Sequence, residues 1–271
     1  MNIVQLHERV RFWVDTVASA RFESEDIDNG LNIAIENKVR ESYDSNRPMN
    51  NSDTFQRVQR LRDELGPLVK KLTNGSGLTI IRVGTKNRIE VSNSIEDYGW
   101  MLSLQITDVN GVEHPVYPLS YNRKNVISKS TYRRPRTVPN VKAYYIEEAG
   151  KINIHDTIGV LSDAEIYYLA IPKTVNYGIE YTSTKAFVAG NVLYAVTPTV
   201  YNGVTYKIGG KITVVNGITS ITSGTVVFDY VETELTATVH EEISRRAAIN
   251  CLLTAGQGDK AKALREEIVS S

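Results

Sequence analysis

His240-Glu241 is where metalloprotease chemistry could begin, because a zinc-binding helix sets two histidines four residues apart with a glutamate beside the first. Position 244 is Ser and 245 is Arg, so the second ligand is missing and the pair reads as the opening of a helix. His7, His114 and His155 are too dispersed for zinc-ligand spacing, and no metal is expected. Cys251 is the lone cysteine, which excludes an internal disulfide and reads as a small core residue on a helical stripe. The chain has no GxxxxGK[ST] phosphate loop, no GxGxxG and no GxSxG elbow. Gly75-Ser76-Gly77 and Gly209-Gly210 read as turns. Glu147-Glu148 and Glu266-Glu267 fall in a turn and on a polar helix face, where solvation explains them without glycosidase chemistry. No catalytic residue and no cofactor are expected, and the chain reads as a non-enzyme.

One charge pattern stands out. No acidic residue lies between Glu113 and Glu147, while Arg123, Lys124, Lys129, Arg133, Arg134, Arg136 and Lys142 all do. Tyr117, Tyr121 and Tyr132 are interleaved, and Pro115, Pro118, Pro135 and Pro139 keep the stretch from forming a regular helix. Residues 114–146 therefore read as an extended basic arm. Arg123, Lys124, Lys129, Tyr132, Arg133, Arg134 and Arg136 are its candidate contacts to phosphate or to an acidic partner. The competing reading is a solvated loop, or an arm folded onto its own protein. If the arm is functional, a protein partner and DNA fit equally, because stacking and phosphate contact need no stricter motif.

Helical periodicity at both chain ends frames these residues. Leu6, Val10, Trp13, Val14 and Val17 make one stripe, and Ile27, Leu31, Ile35 and Val39 make a second behind a Ser24 cap. Asp53 and Gln56 suggest a capping box for a third helix, which Leu68, Val69 and Leu72 extend past Pro67. Thr238 and Glu241 predict another box, opening a helix striped by Val239, Ile243, Ala247 and Cys251. Gly256-Gln257-Gly258 stops it, and a last short helix carries Ala261, Leu264 and Ile268.

Between these ends, about ten short β-branched and tyrosine-rich runs are separated by turn residues such as Asn110-Gly111, Asn202-Gly203 and Asn216-Gly217. The fold class expected is α+β. An N-terminal helical segment (1–77) and a C-terminal helical hairpin (236–271) pack on each other and enclose an antiparallel β-rich region (78–235). The 271 residues carry a formal net charge of zero, so no global field points to nucleic acid. The excess of tyrosine (15) over phenylalanine (5) suits half-buried sheets and interfaces. No apolar run is long enough to span a bilayer, and the start Met1–Arg11 is not patterned as a signal peptide, so a cytosolic origin is expected.

Four segments carry a resemblance. They are Phe55-Gln-Arg-Val-Gln-Arg-Leu-Arg-Asp-Glu-Leu-Gly-Pro-Leu-Val69, Ala143-Tyr-Tyr-Ile-Glu-Glu-Ala-Gly-Lys-Ile-Asn-Ile154, Glu165-Ile-Tyr-Tyr-Leu-Ala-Ile-Pro172 and His240-Glu-Glu-Ile-Ser-Arg-Arg-Ala-Ala-Ile249. With the basic Pro-rich stretch, their order resembles the head-to-tail connector (ring or adaptor) proteins of tailed bacteriophages, particularly those of crAss-like phages. Val175–Gly224 has no counterpart in that pattern. The resemblance implies a virion structural protein in the phage neck or tail, assembled in the host bacterial cytoplasm. It further implies a dodecameric ring contacting the portal and adjacent tail or connector rings, with genomic DNA in its channel and no membrane partner. The alternative is a β-rich adhesin or carbohydrate-binding module on a helical oligomerisation base.

Overall fold

The structure, a computed structural model, describes residues 1–17, 22–45, 63–84, 86–119, 143–148, 151–155, 159–182, 186–215 and 219–270. The α+β class is observed, with helices at both ends of the chain and strands between. The chain divides into two compact units, Met1–Pro67 with Pro172–Ser271, and Leu68–Ile171. A proline thus stands at each crossing of the chain from one unit to the other. The division differs from the boundaries at 77/78 and 235/236 that the sequence suggests, because the strands after 172 belong with the helices.

The Leu68–Ile171 unit is a closed barrel. Its strands are β1 (Val69–Asn74), β2 (Gly77–Val83), β3 (Lys86–Val91), β4 (Tyr98–Asp108), β5 (Glu113–Pro118), β6 (Ala143–Glu148), β7 (Lys151–His155) and β8 (Leu161–Ala170). They run in the order β1-β2-β3-β7-β6-β5-β4-β8, and β8 closes on β1 with Val69 opposite Leu169 and Thr73 opposite Glu165. Alternation along the strands sends Leu104 and Ile106 of β4, and Ala164, Ile166 and Tyr168 of β8, into the interior. An eight-stranded barrel is just wide enough for side chains to fill, and this one is filled by apolar groups. Gly99 marks a close approach: a Cβ there would lie 2.6 Å from the Leu169 carbonyl oxygen, beside a β-bulge in the β4–β8 pairing.

Two expectations need correcting here. The helix predicted to continue through Leu72 is instead a 3-10 turn, Gly66–Leu68, followed by β1. The spacing of Leu68, Val69 and Leu72 suits either period, and pairing with β8 decides it. Pairing is also not purely antiparallel: β1–β2 and β5–β6 run parallel. Parallel neighbours need a long connection, and residues 119–142 between β5 and β6 supply one. The β1–β2 contact is a local corner at Gly75 and Gly77, both at positive φ.

The other unit holds α1 (Ile3–Val17), α2 (Ser24–Ser45), α3 (His240–Thr254) and α4 (Gly258–Ser270). Leu6, Val10, Trp13 and Val14 of the first stripe and Ile27, Leu31, Ile35 and Val39 of the second are buried, and α3, whose own stripe of Ile243, Ala247, Cys251 and Leu252 is buried too, touches α1 and α2. Gly30 permits the α2–α3 approach, since a Cβ there would sit 2.8 Å from Cys251 Sγ and 2.9 Å from the Ala247 carbonyl oxygen.

The same unit contains β9 (Ile179–Thr182), β10 (Ala186–Phe187), β11 (Val192–Ala195), β12 (Thr199–Tyr201), β13 (Val204–Tyr206), β14 (Lys211–Thr213), β15 (Thr219–Ser220) and β16 (Thr225–Phe228). A four-stranded antiparallel sheet of order β14-β11-β16-β9 lies over a core including Phe187, Leu193, Ile212 and Val226. Asn202 and Gly203, both at positive φ, form the two-residue turn joining β12 and β13, as their dipeptide predicts. Residues 204–215 and 219–230 each hold two short strands, β13 with β14 and β15 with β16. Among the described residues, no helix is long and apolar enough to cross a membrane.

Candidate interaction surface on the helical unit

The first turn of α3 carries Glu241 and Glu242, and each is held by basic side chains of the N-terminal helices. Arg9 of α1 grips Glu241 with two nitrogens, Nε and Nη2, each 2.8 Å from a carboxylate oxygen. Arg9 and Arg245 also lie over the Trp13 ring, 5.0 and 4.3 Å from its centroid. Lys38 of α2 donates to Glu242 at 2.8 Å and lies 3.1 Å from Glu64. Arg246 bridges Glu242 at 2.7 Å and Glu41 at 2.8 Å. The Arg9 guanidinium holds the Glu241 carboxyl below the usual range. Burial alone would raise Glu242, but Lys38 and Arg246 outweigh it and lower it too. The predicted capping box is therefore absent: α3 starts after Val239 without a side-chain cap, and Glu241 is drawn to Arg9.

A groove of about 350 Å³ opens between α2, α3 and α4, lined by Ala34, Asn37, Glu41, Arg246, Ile249, Asn250 and Arg265. Asn250 Nδ2 donates to the Gly30 carbonyl at 3.2 Å. Among the described residues, the lining is mostly polar, with Ala34 and Ile249 as its apolar members.

Deeper in the unit, His7 of α1 bonds Asp28 of α2 through Nε2 at 2.8 Å and stacks on the Tyr177 ring, 4.3 Å between centroids. Asp28 also accepts the Tyr177 backbone N–H at 2.9 Å. Burial pushes the His7 imidazole below its ordinary pKa, against the pull of Asp28. Asn32 clasps Val175 in both directions, accepting from its N–H at 2.7 Å and donating to its carbonyl at 3.1 Å. Two carboxylate or carboxamide side chains of one α2 face thereby fix the segment Val175–Tyr177. His240 is tied down as well, with Nε2 3.0 Å from the Leu235 carbonyl.

No known protein family matches the chain, and no curated protein does. The seven predicted arm residues, Arg123, Lys124, Lys129, Tyr132, Arg133, Arg134 and Arg136, lie outside the described residues, as do Asp53 and Gln56. Among the described residues, no group of three or more His, Cys, Asp or Glu is placed to hold a metal. His114 instead lies 3.4 Å from Asp108, whose carboxylate accepts the N–H groups of Asn110 and Val112 in the β4–β5 turn. Reading the sequence missed Asp28, Tyr177 and Arg265. Asp28 stands one residue off the apolar stripe of α2, and only its three-residue distance from Leu31 hinted that it faces inward.

The barrel has an exposed apolar end of its own. Val109 and Val112 flank the Asn110-Gly111 turn, and Leu161 opposite Asp108 brings Val160 alongside. The three are 63%, 50% and 48% exposed. Turn tips facing only water are ordinarily polar, and three valines stand at this end of the barrel.

Proposed function

We propose that the chain is a virion structural protein, a subunit of a head-to-tail connector ring stacked below the portal of a tailed phage. The observation that carries this reading is the trio Val109, Val112 and Val160 at one end of the barrel, apolar groups offered to solvent at turn tips. A ring subunit needs such surfaces because it meets two neighbours through different faces, along with the rings above and below. The four resembling segments and the basic Pro-Tyr stretch support the same assignment. In this account α3 and α4 form a helical hairpin that joins α1 and α2 into the ring wall. The barrel and the basic arm supply the contacts to neighbouring rings, and the arm's cations suit the portal or the genome as partners. The ring is a dodecamer, matched to the portal.

Co-expression with a tailed-phage portal protein, followed by mass photometry, tests the reading. A stoichiometric complex that Val109→Asp together with Val112→Asp abolishes is the expected result. A chain that stays monomeric and ignores the portal at every salt concentration would sink it.

A further inference from the structure

We propose that Asn202 is a site of spontaneous deamidation, where the folded chain acquires an aspartate or isoaspartate as it ages. The inference goes beyond the connector reading and does not depend on it.

Asparagine followed by glycine occurs at 29–30, 74–75, 110–111, 202–203 and 216–217. Such a pair is reactive because glycine has no Cβ to hinder approach to its backbone nitrogen. That nitrogen attacks the asparagine Cγ, forming a new C–N bond and closing a succinimide ring. The bond from Cγ to the side-chain nitrogen breaks, and the amide takes up the glycine N–H proton to leave as ammonia. Water then opens the ring. Cleavage at Cγ yields aspartate, and cleavage at the backbone carbonyl carbon yields isoaspartate. The only co-reactant is water.

Asn216 and Gly217 lie outside the described residues, so the comparison is among the other four pairs. Asn29, Asn74, Asn110 and Asn202 are all exposed, and access of water does not separate them. The glycine N–H does. Gly30 lies inside α2, where the i→i−4 ladder engages its N–H. The Gly75 N–H donates to the Leu78 carbonyl and the Gly111 N–H to the Asp108 carbonyl, each at 3.0 Å. The Gly203 N–H meets no acceptor among the described residues. The turn explains this: Tyr201 pairs with Val204, and the two residues between them stay outside the ladder. The attacking nitrogen is therefore free only at Gly203. Reaction there sets a carboxylate beside Val204, which is 53% exposed. Isoaspartate also lengthens the backbone of a two-residue turn by one carbon, which must shift β12 against β13.

The test ages the full chain in mildly alkaline buffer, folded in one sample and unfolded by urea in another, and maps peptides by mass spectrometry. In the folded sample Asn202 should be lost about tenfold faster than Asn29, Asn74 or Asn110, the factor set by releasing one backbone hydrogen bond. In urea the four should react at similar rates, since the fold no longer holds any of the glycine N–H groups. Hydrogen exchange followed by NMR is the second measurement, and the Gly203 amide should exchange faster than those of Gly30, Gly75 and Gly111. Loss at Asn202 no faster than at the other three in the folded chain would overturn the proposal. So would a lead for Asn202 that persists undiminished in urea, since the sequence and not the fold would then select it. A Gly203 amide as protected as the other three would overturn it as well.

Discussion

The barrel and the helical unit bury different kinds of groups, and the difference separates what holds a fold together from what sets its geometry. The barrel interior is apolar: Leu104, Ile106, Ala164 and Ile166 fill it, and the buried Asn87 and Asp108 serve loops and turns at its margins. The helical unit buries His7, Ser244 and His240 among its hydrophobic stripes, and a band of ion pairs borders them. Apolar filling is non-directional and can accept a neighbour of similar volume. A bond such as His7–Asp28 is made in one register only, so it specifies how α1 and α2 must meet. The barrel is thus held by volume and the helices by pins.

The largest effect should come from emptying the barrel. Ile166→Ala removes a fully buried side chain, and a loss of roughly 2–5 kcal/mol is expected for such a truncation. Each unit contains one tryptophan, Trp13 or Trp100, so urea titrations of Trp13→Phe and Trp100→Phe backgrounds follow the two units separately. The shift should appear in the Trp100 signal. An equal shift in the Trp13 signal would mean that the units unfold as one, and the comparison would collapse.

Gly30→Ala comes next. The added methyl meets the Ala247 carbonyl and Cys251 Sγ, and overpacking of this kind costs about 1–3 kcal/mol. Gly66→Ala, where a Cβ meets nothing within 4 Å, is the control and should change the Trp13 signal little. If both variants melt alike, the close approach of α2 and α3 is not what Gly30 provides.

The smallest effect is the most selective. His7 has a lowered pKa in the folded state because it is buried, so it stays neutral where the unfolded chain begins to take up a proton, near pH 6.5. The unfolded state then binds more protons, and stability is lost as pH falls from about 6.5 towards the lower folded value. His240, lowered by burial and by the nearby terminal amine, acts in the same direction. The melting temperature followed by Trp13 should drop by a few degrees between about pH 7.5 and 5.5, more than that followed by Trp100. His7→Gln should flatten the slope even if it lowers stability throughout. A barrel that is equally acid-sensitive would contradict the contrast.

The contrast also explains what could be read in advance. The stripes Ile27-Leu31-Ile35-Val39 and Ile243-Ala247-Cys251 were legible because helical period and burial coincide, as was the Asn202-Gly203 turn from its dipeptide. Closure of the barrel was not, since it rests on β8 pairing with β1 across residues 69–169, and no local pattern encodes so distant a partner. The same blindness made Leu72 look helical. Thr238 and Glu241 fit a capping box by spacing, but Arg9 lies more than two hundred positions away in the sequence and competes for that carboxylate. Asp28 and Arg265 look like ordinary surface charges until the fold gives one a buried histidine and the other a groove.

The central claim, that this chain is a connector ring subunit, is tested most directly by locating it in the particle. Antibody fragments raised against the purified protein and coupled to gold should label intact virions, imaged by electron microscopy, at the neck between capsid and tail. Labelling at fibre tips, or of infected-cell debris with no particle-bound gold, would contradict it.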